Sequence, residues 1–175
     1  DNYTQLLPMY ANSRRLTDTV QKKELGGPFN TTVDKMVKAI QEHSIAVKPK
    51  RDPAKTNTQE YRDWLRQDEF NPFIDKAWLL MGKAHVENKD YTEAISVFSQ
   101  ASRLFDYDMD VVSEAQIWMM RAYTEMGWFT DADGLSEALK MRALPKNLEN
   151  DFNEFYTHLL IRKGDYAEAI PHLAE

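Results

Sequence analysis

Three absences narrow the functions open to this chain of 175 residues. It contains no cysteine, which excludes a disulfide framework, a thiolate metal site and a cysteine nucleophile. It contains no run of 18 apolar residues, so no segment is predicted to span a bilayer. It opens on the polar Asp1-Asn2-Tyr3, where a secretory signal would place basic and then apolar residues. These absences leave a periplasmic and a cytosolic location equally open.

The sequence also lacks the signatures of common catalytic sites. Gly82-Lys83 has no upstream glycine at phosphate-loop spacing, and neither the dinucleotide glycine fingerprint nor a zinc-binding His-Glu-x-x-His helix occurs. Acidic residues alternate over positions 106–110 as in a calcium loop, but Val111 and Ile117 stand where that loop needs glycine and glutamate. We therefore predict no enzyme, no cofactor and no metal site, and we interpret residues 106–110 as a loop that caps a helix.

Charge is distributed unevenly along the chain. Residues 1–57 contain 10 basic and 6 acidic side chains, whereas residues 58–175 contain 12 basic and 22 acidic ones. An acidic body argues against nucleic acid as a partner, because nonspecific binding to phosphates needs a positive surface. The one basic cluster lies in a proline-interrupted segment and is more typical of a solvated loop than of a phosphate site; it comprises Lys48, Lys50, Arg51 and Lys55.

Residues 75–101 carry a regular pattern of small and large side chains. Its members are Trp78, Met81, Gly82, His85, Ala94, Phe98 and Ala101. Gly82 and Ala94 are small enough for two antiparallel helices to cross closely, and Asp90 is the expected N-cap of the second helix. The spacing resembles the tetratricopeptide repeat (TPR), with His85 replacing the usual tyrosine and Met81 the usual leucine. It predicts an all-α fold, a TPR-type α-solenoid of antiparallel helix pairs.

Two weaker copies of the pattern follow. Gly127 and Gly164 align with Lys89, so repeats that start at 75, 113 and 150 have periods of 38 and 37 residues. These periods exceed the ~34 residues of a plain repeat, and we expect the additional residues at positions 106–110 and 144–146. Residues 72–175 thus form about three TPR-like repeats.

The end of the third repeat has no polar capping helix after it. Ala169, Ile170 and Leu173 form an apolar stripe there. Because the ends of solenoids need a cap, we expect the natural protein to continue. In the chain as given, this end should either pair with a second copy as a homodimer or be frayed.

The rest of the chain is predicted as an N-terminal helical extension and a linker. Residues 1–45 form a helical region whose third helix, capped by Thr31 or Thr32, resembles the second helix of a degenerate repeat. Residues 46–71 form a loop with a short aromatic helix near Trp64, and Asn71-Pro72 marks the next helix start. The apolar face of the third helix comprises Val33, Met36, Val37 and Ile40.

Three segments carry a narrower family resemblance: YTQLLP at 3–8, AIQEHSI at 39–45 and NPFIDKAWLLMGKA at 71–84. They are similar to the N-terminal part of the TPR outer-membrane lipoproteins of gliding motility and type IX secretion. In that family a lipobox cysteine anchors a long periplasmic TPR protein that assists the secretion machinery. The resemblance implies a place on the periplasmic side of the outer membrane. This chain lacks the lipobox cysteine and the long C-terminal portion.

A TPR fold implies that the first helix of each pair lines a concave surface that binds a protein or peptide. The family's concave positions correspond here to Lys76, Leu79, Lys83, Val86, Glu87, Glu114, Ile117, Arg121, Thr124, Glu125, Asp151, Glu154, His158, Ile161 and Arg162. Basic and apolar groups are mixed in this set, which suits an extended or helical peptide segment. Leu79 and Trp118 do not suit the carboxylate clamp of chaperone-binding TPR domains.

A second function stays open from the sequence alone. A helical module that binds a small molecule or glycan and presents it to a partner enzyme would use Trp64, Trp118 and Trp128 as an aromatic platform. Whether these side chains share one exposed cleft distinguishes the two functions.

Overall fold

The computed structural model describes residues 28–50 and 56–172, and every regular element within these ranges is an α-helix. The helices are α1 Asn30–His43, α2 Gln59–Arg66, α3 Ile74–Glu87, α4 Tyr91–Leu104, α5 Met109–Met126, α6 Phe129–Lys140, α7 Lys146–Lys163 and α8 Tyr166–His172. The all-α class is confirmed. The helices predicted within residues 1–27, and Leu173, lie outside the described ranges. No described helix is both long enough and apolar enough to cross a membrane.

Three helix pairs follow one another, and the same turn closes each pair. After α3, the amide of Lys89 donates to the carbonyl of Val86, and that of Asp90 to the carbonyl of His85, over 2.9 and 2.8 Å. The same two bonds recur around Gly127 and Gly164. Lys89, Gly127 and Gly164 have φ of 65°, 74° and 87°, the left-handed conformation that this helix ending requires. The turns lie 38 and 37 residues apart, as the sequence alignment predicts.

The helix pairs pack on one another in chain order. The first helices α3, α5 and α7 pack against their own second helices, α4, α6 and α8, and α3 contacts α5 as α5 contacts α7. The second helices α4 and α6 also pack against the first helix of the next pair, and α1 packs against α3. Because only a few residues join the helices of a pair, each pair is a helical hairpin. α1 therefore packs on α3 as a second helix such as α4 packs on the next first helix, α5.

Two apolar clusters form the core, and α5 contributes to both. One cluster is built on α1, α3 and α4, and the other on α6, α7 and α8. Trp118, Tyr123 and Leu135 pack against both clusters, so the core is continuous along the stack. The predicted face of α1 is confirmed, because Val33 and Ile40 are fully buried.

Helix boundaries differ from the prediction in three places, one of which is α3: it begins at Ile74, after Phe73 as N-cap residue, and not at Asn71-Pro72. α5 and α7 each contain 18 residues and α3 contains 14. The additional residues of the longer repeats therefore extend the first helix by about one turn instead of lengthening the loops. Thr31 and Thr32 lie inside α1, which begins at Asn30 with no side-chain cap. Asp108 does cap α5, since its carboxylate accepts the amides of Asp110 and Val111.

The junction between α1 and α3 is organised by one buried acid. Glu69 is 2% exposed, and its carboxylate accepts hydrogen bonds from the Ser44 hydroxyl and from the amides of Ile45, Phe70 and Asn71. Because each bond satisfies a backbone or hydroxyl donor, burial of this charge is compensated. The contact holds the loop after α1 beside the start of α3.

Candidate protein-interaction face

Four of the predicted partner-binding residues are covered by neighbouring helices. Leu79, Val86, Ile117 and Thr124 are at most 6% exposed, and the hydroxyl of Thr124 donates to the carbonyl of Met120, 2.8 Å away in its own helix. The reason is that α3, α5 and α7 pack side by side, which turns their facing apolar positions into core. These four side chains therefore offer no surface to a partner, contrary to the prediction.

The polar members of the set lie together and connect consecutive first helices. The Nζ of Lys83 on α3 lies 2.5 Å from Oε1 of Glu114 on α5, with both side chains about one quarter exposed. The same Nζ lies 5.0 Å from the ring centroid of Trp118. A half-buried ammonium between a carboxylate and an indole face is stabilised by both. Lys83 is therefore fixed in position by contacts within the chain.

Arg121 occupies the corresponding position between α5 and α7. Its guanidinium lies 4.7 Å from the ring centroid of Phe155 and 6.0 Å from that of Trp118. The two rings meet edge to face, with centroids 4.9 Å apart. Arginine stacks well on aromatic faces because its guanidinium is planar and weakly hydrated. The guanidinium and the two rings form a cation–aromatic group at the middle of the face.

A third contact lies at the other end of these helices. Glu125 on α5 accepts contacts from two residues of α7: Nε2 of His158 at 2.9 Å and Nη1 of Arg162 at 3.0 Å. All three side chains keep part of their surface in solvent. Burial of the Tyr91 phenol raises its pKa, and the negative charge of the Glu125 carboxylate raises it further.

Burial also affects an acid on this face. Burial raises the pKa of Asp151 on α7, while nearby Lys83 lowers it and Glu114 raises it. The face thus carries acidic and basic groups in close alternation. A partner that binds here meets neither a uniformly positive nor a uniformly negative surface.

We call the solvent-accessible part of the set, together with the neighbouring Trp118, the first-helix face. Its members are Lys76, Lys83, Glu87, Glu114, Trp118, Arg121, Glu125, Asp151, Glu154, His158, Ile161 and Arg162. Lys76, Glu87, Glu154, Ile161 and Arg162 are exposed, and the other members are partly buried. The described residues contain no group of three His, Asp or Glu side chains arranged to hold a metal ion. The chemistry that this face offers is ion pairing, cation–aromatic contact and limited apolar contact.

The tryptophans of the alternative function do not share a cleft. Trp64 stacks on Tyr61, Trp118 meets Phe155, and Trp128 stacks on Tyr123. Each indole is thus held in a separate aromatic group on α2, on α5 or at the α5–α6 turn. This arrangement gives no support to a common aromatic platform for a glycan.

Sequence reasoning missed a role for Lys48, which it assigned to a solvated basic loop. The Nζ of Lys48 donates to the carbonyl of Leu65 over 2.8 Å and lies 5.1 Å from the ring centroid of Trp64. Lys48 therefore attaches the loop to α2. The one signal for this contact in the sequence is the mixture of aromatic and basic residues over 46–71.

The chain matches no family model, and neither a curated protein nor a solved structure is found to be similar to it.

Proposed function

We propose that this chain is a non-catalytic TPR-type scaffold that binds a protein partner through the first-helix face. The observation that carries the proposal is a cation–aromatic contact between consecutive first helices that recurs at corresponding positions: Lys83 with Trp118, then Arg121 with Phe155. A surface whose side chains are already ordered loses little conformational entropy when it binds. Repetition of such a surface from one helix pair to the next suits an elongated partner segment.

The resemblance of residues 3–8, 39–45 and 71–84 supports a more specific setting. We propose a place in a secretion or motility assembly of the cell envelope, on the periplasmic side of the outer membrane. In such a setting the face would hold a protein or peptide from the same assembly.

Site-specific photo-crosslinking in the native host tests the proposed face. A benzophenone amino acid is introduced at Lys76 or Ile161, which are exposed on first helices. Matched controls carry it at Glu93 or Ala138, which are exposed on second helices. Irradiated cells are extracted, and the adducts are identified by mass spectrometry.

The proposal expects one protein to be crosslinked from both first-helix positions and from neither second-helix position. Equal adducts from all four positions, or adducts from the second helices alone, would refute this face as the binding site. Envelope fractionation of the same cells tests the setting. Recovery of the chain with the inner membrane or the cytosol would refute the outer-membrane location.

A further inference from the structure

Three residues occupy the same place in consecutive first helices. Lys83, Arg121 and His158 each lie six residues before the turn that closes their helix pair. The ammonium of Lys83 pairs with Glu114, and the imidazole of His158 contacts the carboxylate of Glu125. Arg121 differs, because no carboxylate of the described residues lies within ion-pair distance of its guanidinium. The middle of the row therefore carries a positive charge without an acidic partner in the described ranges.

The acid at the corresponding position does not reach Arg121. Glu114, the partner of Lys83, lies thirteen residues before the turn of its pair, and Asp151 occupies that place in the next pair. Aspartate is shorter than glutamate by one methylene group. Asp151 forms no ion pair within the part of the chain that the structure describes. The repeat thus provides an acid for Lys83 and leaves Arg121 without one.

The guanidinium of Arg121 is held by aromatic rings, and part of it is open to solvent. Its centre lies 4.7 Å from the ring centroid of Phe155 and 6.0 Å from that of Trp118. Nε of Arg121 and Nε1 of Trp118 are buried, with no hydrogen-bond partner among the described residues. The two Nη atoms also bond to none of these residues, but they are not enclosed. A ligand can therefore approach a pair of N–H donors whose position the two rings define.

A carboxylate matches this pair of donors. Arginine binds carboxylates through two parallel N–H···O bonds, and charge-assisted bonds of this kind are about twice as strong as neutral ones. The attraction is stronger beside aromatic rings than in open water, because the local dielectric is lower. The guanidinium is already in place, so binding orders few additional groups.

The acids of the first-helix face favour a ligand with a single negative charge. Glu114 and Glu125 are paired within the chain, whereas Asp151 and Glu154 form no ion pair with any described residue. A run of acidic residues or a doubly charged phosphate would bring additional negative charge toward these acids. One carboxylate between uncharged residues avoids this repulsion.

Exposed apolar side chains lie on the first helices before and after Arg121. Leu80 on α3 is 45% exposed, and Ile161 on α7 is 39% exposed. Leu80 precedes Lys83 by three residues, and Ile161 follows His158 by three. Residues three apart share one side of a helix, so both apolar groups lie on the same face as the row of cations.

We propose that Arg121 binds the side-chain carboxylate of one glutamate or aspartate in the elongated partner segment, and that apolar residues on both sides of this acid contact Leu80 and Ile161. The inference rests on the proposed function and names the chemistry of its partner. Packed helices lie about 8–10 Å apart, and an extended chain advances about 3.3 Å per residue. The apolar residues are therefore expected about three positions before and after the acid.

The test selects peptides without knowledge of the natural partner. A random peptide library displayed on phage is selected on the wild-type chain and counter-selected on Arg121→Gln. Enriched peptides are synthesised with both ends blocked, which removes the terminal carboxylate, and their binding is measured by fluorescence anisotropy. Each is compared with a peptide that carries glutamine in place of the acid. The control variant is Arg103→Gln, at an exposed arginine of the second helix α4, and thermal unfolding verifies that every variant is folded.

We expect the enriched peptides to share one acid with apolar residues about three positions away. Arg121→Gln should bind them at least about tenfold more weakly, as for loss of a hydrogen-bonded charge. Arg121→Lys should show a smaller loss, because lysine keeps the charge without the planar fork. Arg103→Gln should change binding by less than about twofold. Glutamine in the peptide should weaken binding to the wild-type chain but not to Arg121→Gln, where the same contact is already absent.

Four outcomes would overturn the proposal. Enriched peptides without an acid would remove its basis, as would a failure to enrich any peptide that depends on Arg121. Equal losses in Arg121→Gln and Arg103→Gln would indicate attraction to net charge alone. Tighter binding of a peptide with phosphoserine in place of the acid would assign the position to a phosphate. If Arg121→Gln does not fold, Arg121→Lys replaces it, and wild-type affinity of that variant would exclude recognition by the guanidinium.

Photo-crosslinking from Lys76, repeated with Arg121→Gln, separates this inference from the proposed function. A partner adduct that forms equally in both backgrounds would refute the role of Arg121 and leave the first-helix face as the binding site. Absence of the adduct in the wild-type background would refute the face itself. An adduct that Arg121→Gln reduces at least about tenfold, and Arg103→Gln does not, is the result expected from the proposal.

Discussion

A Cβ atom at position 82 would lie 2.5 Å from Cε1 of Phe98 and within 2.8 Å of two further atoms of that ring. Phe98 is completely buried, so its ring has no free space into which it can move. Glycine at position 82 is what allows α3 and α4 to approach this closely.

Gly82→Ala should therefore destabilise the chain, and Gly82→Leu more so. Overpacking of a core costs about 1–3 kcal/mol, which outweighs the up to ~1 kcal/mol that alanine gains in a helix. Gly134 in α6 is the matched control, because no atom lies within 4 Å of the Cβ it would acquire. Gly134→Ala should raise the urea midpoint and Gly82→Ala should lower it; a rise in both would disprove the close contact.

Lys89 adopts a left-handed conformation at the position that glycine occupies in the other two turns. This conformation costs a side-chain-bearing residue about 1–2 kcal/mol, whereas glycine loses only about 0.5–1 kcal/mol more backbone entropy on folding. Lys89→Gly should therefore raise the melting temperature slightly. Gly127→Ala and Gly164→Ala, measured in the same assay, should lower it. A fall with Lys89→Gly would show that the lysine side chain contributes more than the strain costs.

The ion pair between Lys83 and Glu114 should stabilise the folded chain as well as order the side chains of the first-helix face. Lys83→Glu places two acids together and should destabilise the chain, and the swapped variant Lys83→Glu/Glu114→Lys should recover part of the loss. A coupling energy of about 0.5–1 kcal/mol is expected from a double-mutant cycle, and it should shrink at high salt. A zero coupling would mean that the pair is not formed in solution. Any binding assay on Lys83 variants therefore needs a stability measurement beside it.

Asp151 should give the stability of the chain a distinctive pH dependence. Burial raises its pKa in the folded chain, so the folded state holds this proton more tightly than the unfolded state. Above the folded-state pKa the partly buried carboxylate is ionised and reduces stability, and below about pH 4 it is neutral in both states. Asp151→Asn should therefore stabilise the chain at pH 7, and the gain should vanish as the pH falls below about 4. Glu149→Gln, at an exposed acid of the same helix, is the control; a gain that persists at acid pH would contradict the assignment.

The homodimer expected through the last helix stays a prediction, but not every residue of the predicted apolar stripe is available for its contact. Ala169 is 1% exposed and belongs to the core, whereas Ile170 is 65% exposed. If this end pairs with a second copy, Ile170→Glu should abolish the dimer in sedimentation velocity, and the exposed Glu93→Gln should not. A dimer that survives Ile170→Glu would place the contact elsewhere.

The sequence by itself determined the helices and the repeat. Gly82, Ala94 and the Lys89-Asp90 turn identify a hairpin from spacing alone, because helix period, small residues at crossings and turn chemistry are local properties. The same reasoning located the two later turns at Gly127 and Gly164. It also identified the helix face that Val33 and Ile40 share.

Only the tertiary structure decided which residues of the predicted face remain on the surface. Leu79 and Ile117 lie on the predicted side of their helices, yet neighbouring first helices bury them. The sequence predicts that residues 106–110 form a helix-capping loop, but it does not indicate the groove between this loop and α2, which Glu60, Asp63, Asp108 and Asp110 line. Burial and grooves arise where elements that are distant in the chain pack against each other. The spacing of residues within one element does not reveal how closely another element will approach it. The contacts of Lys83 with Glu114 and of Glu125 with His158 are of this kind, since each joins two helices that another helix separates in the sequence.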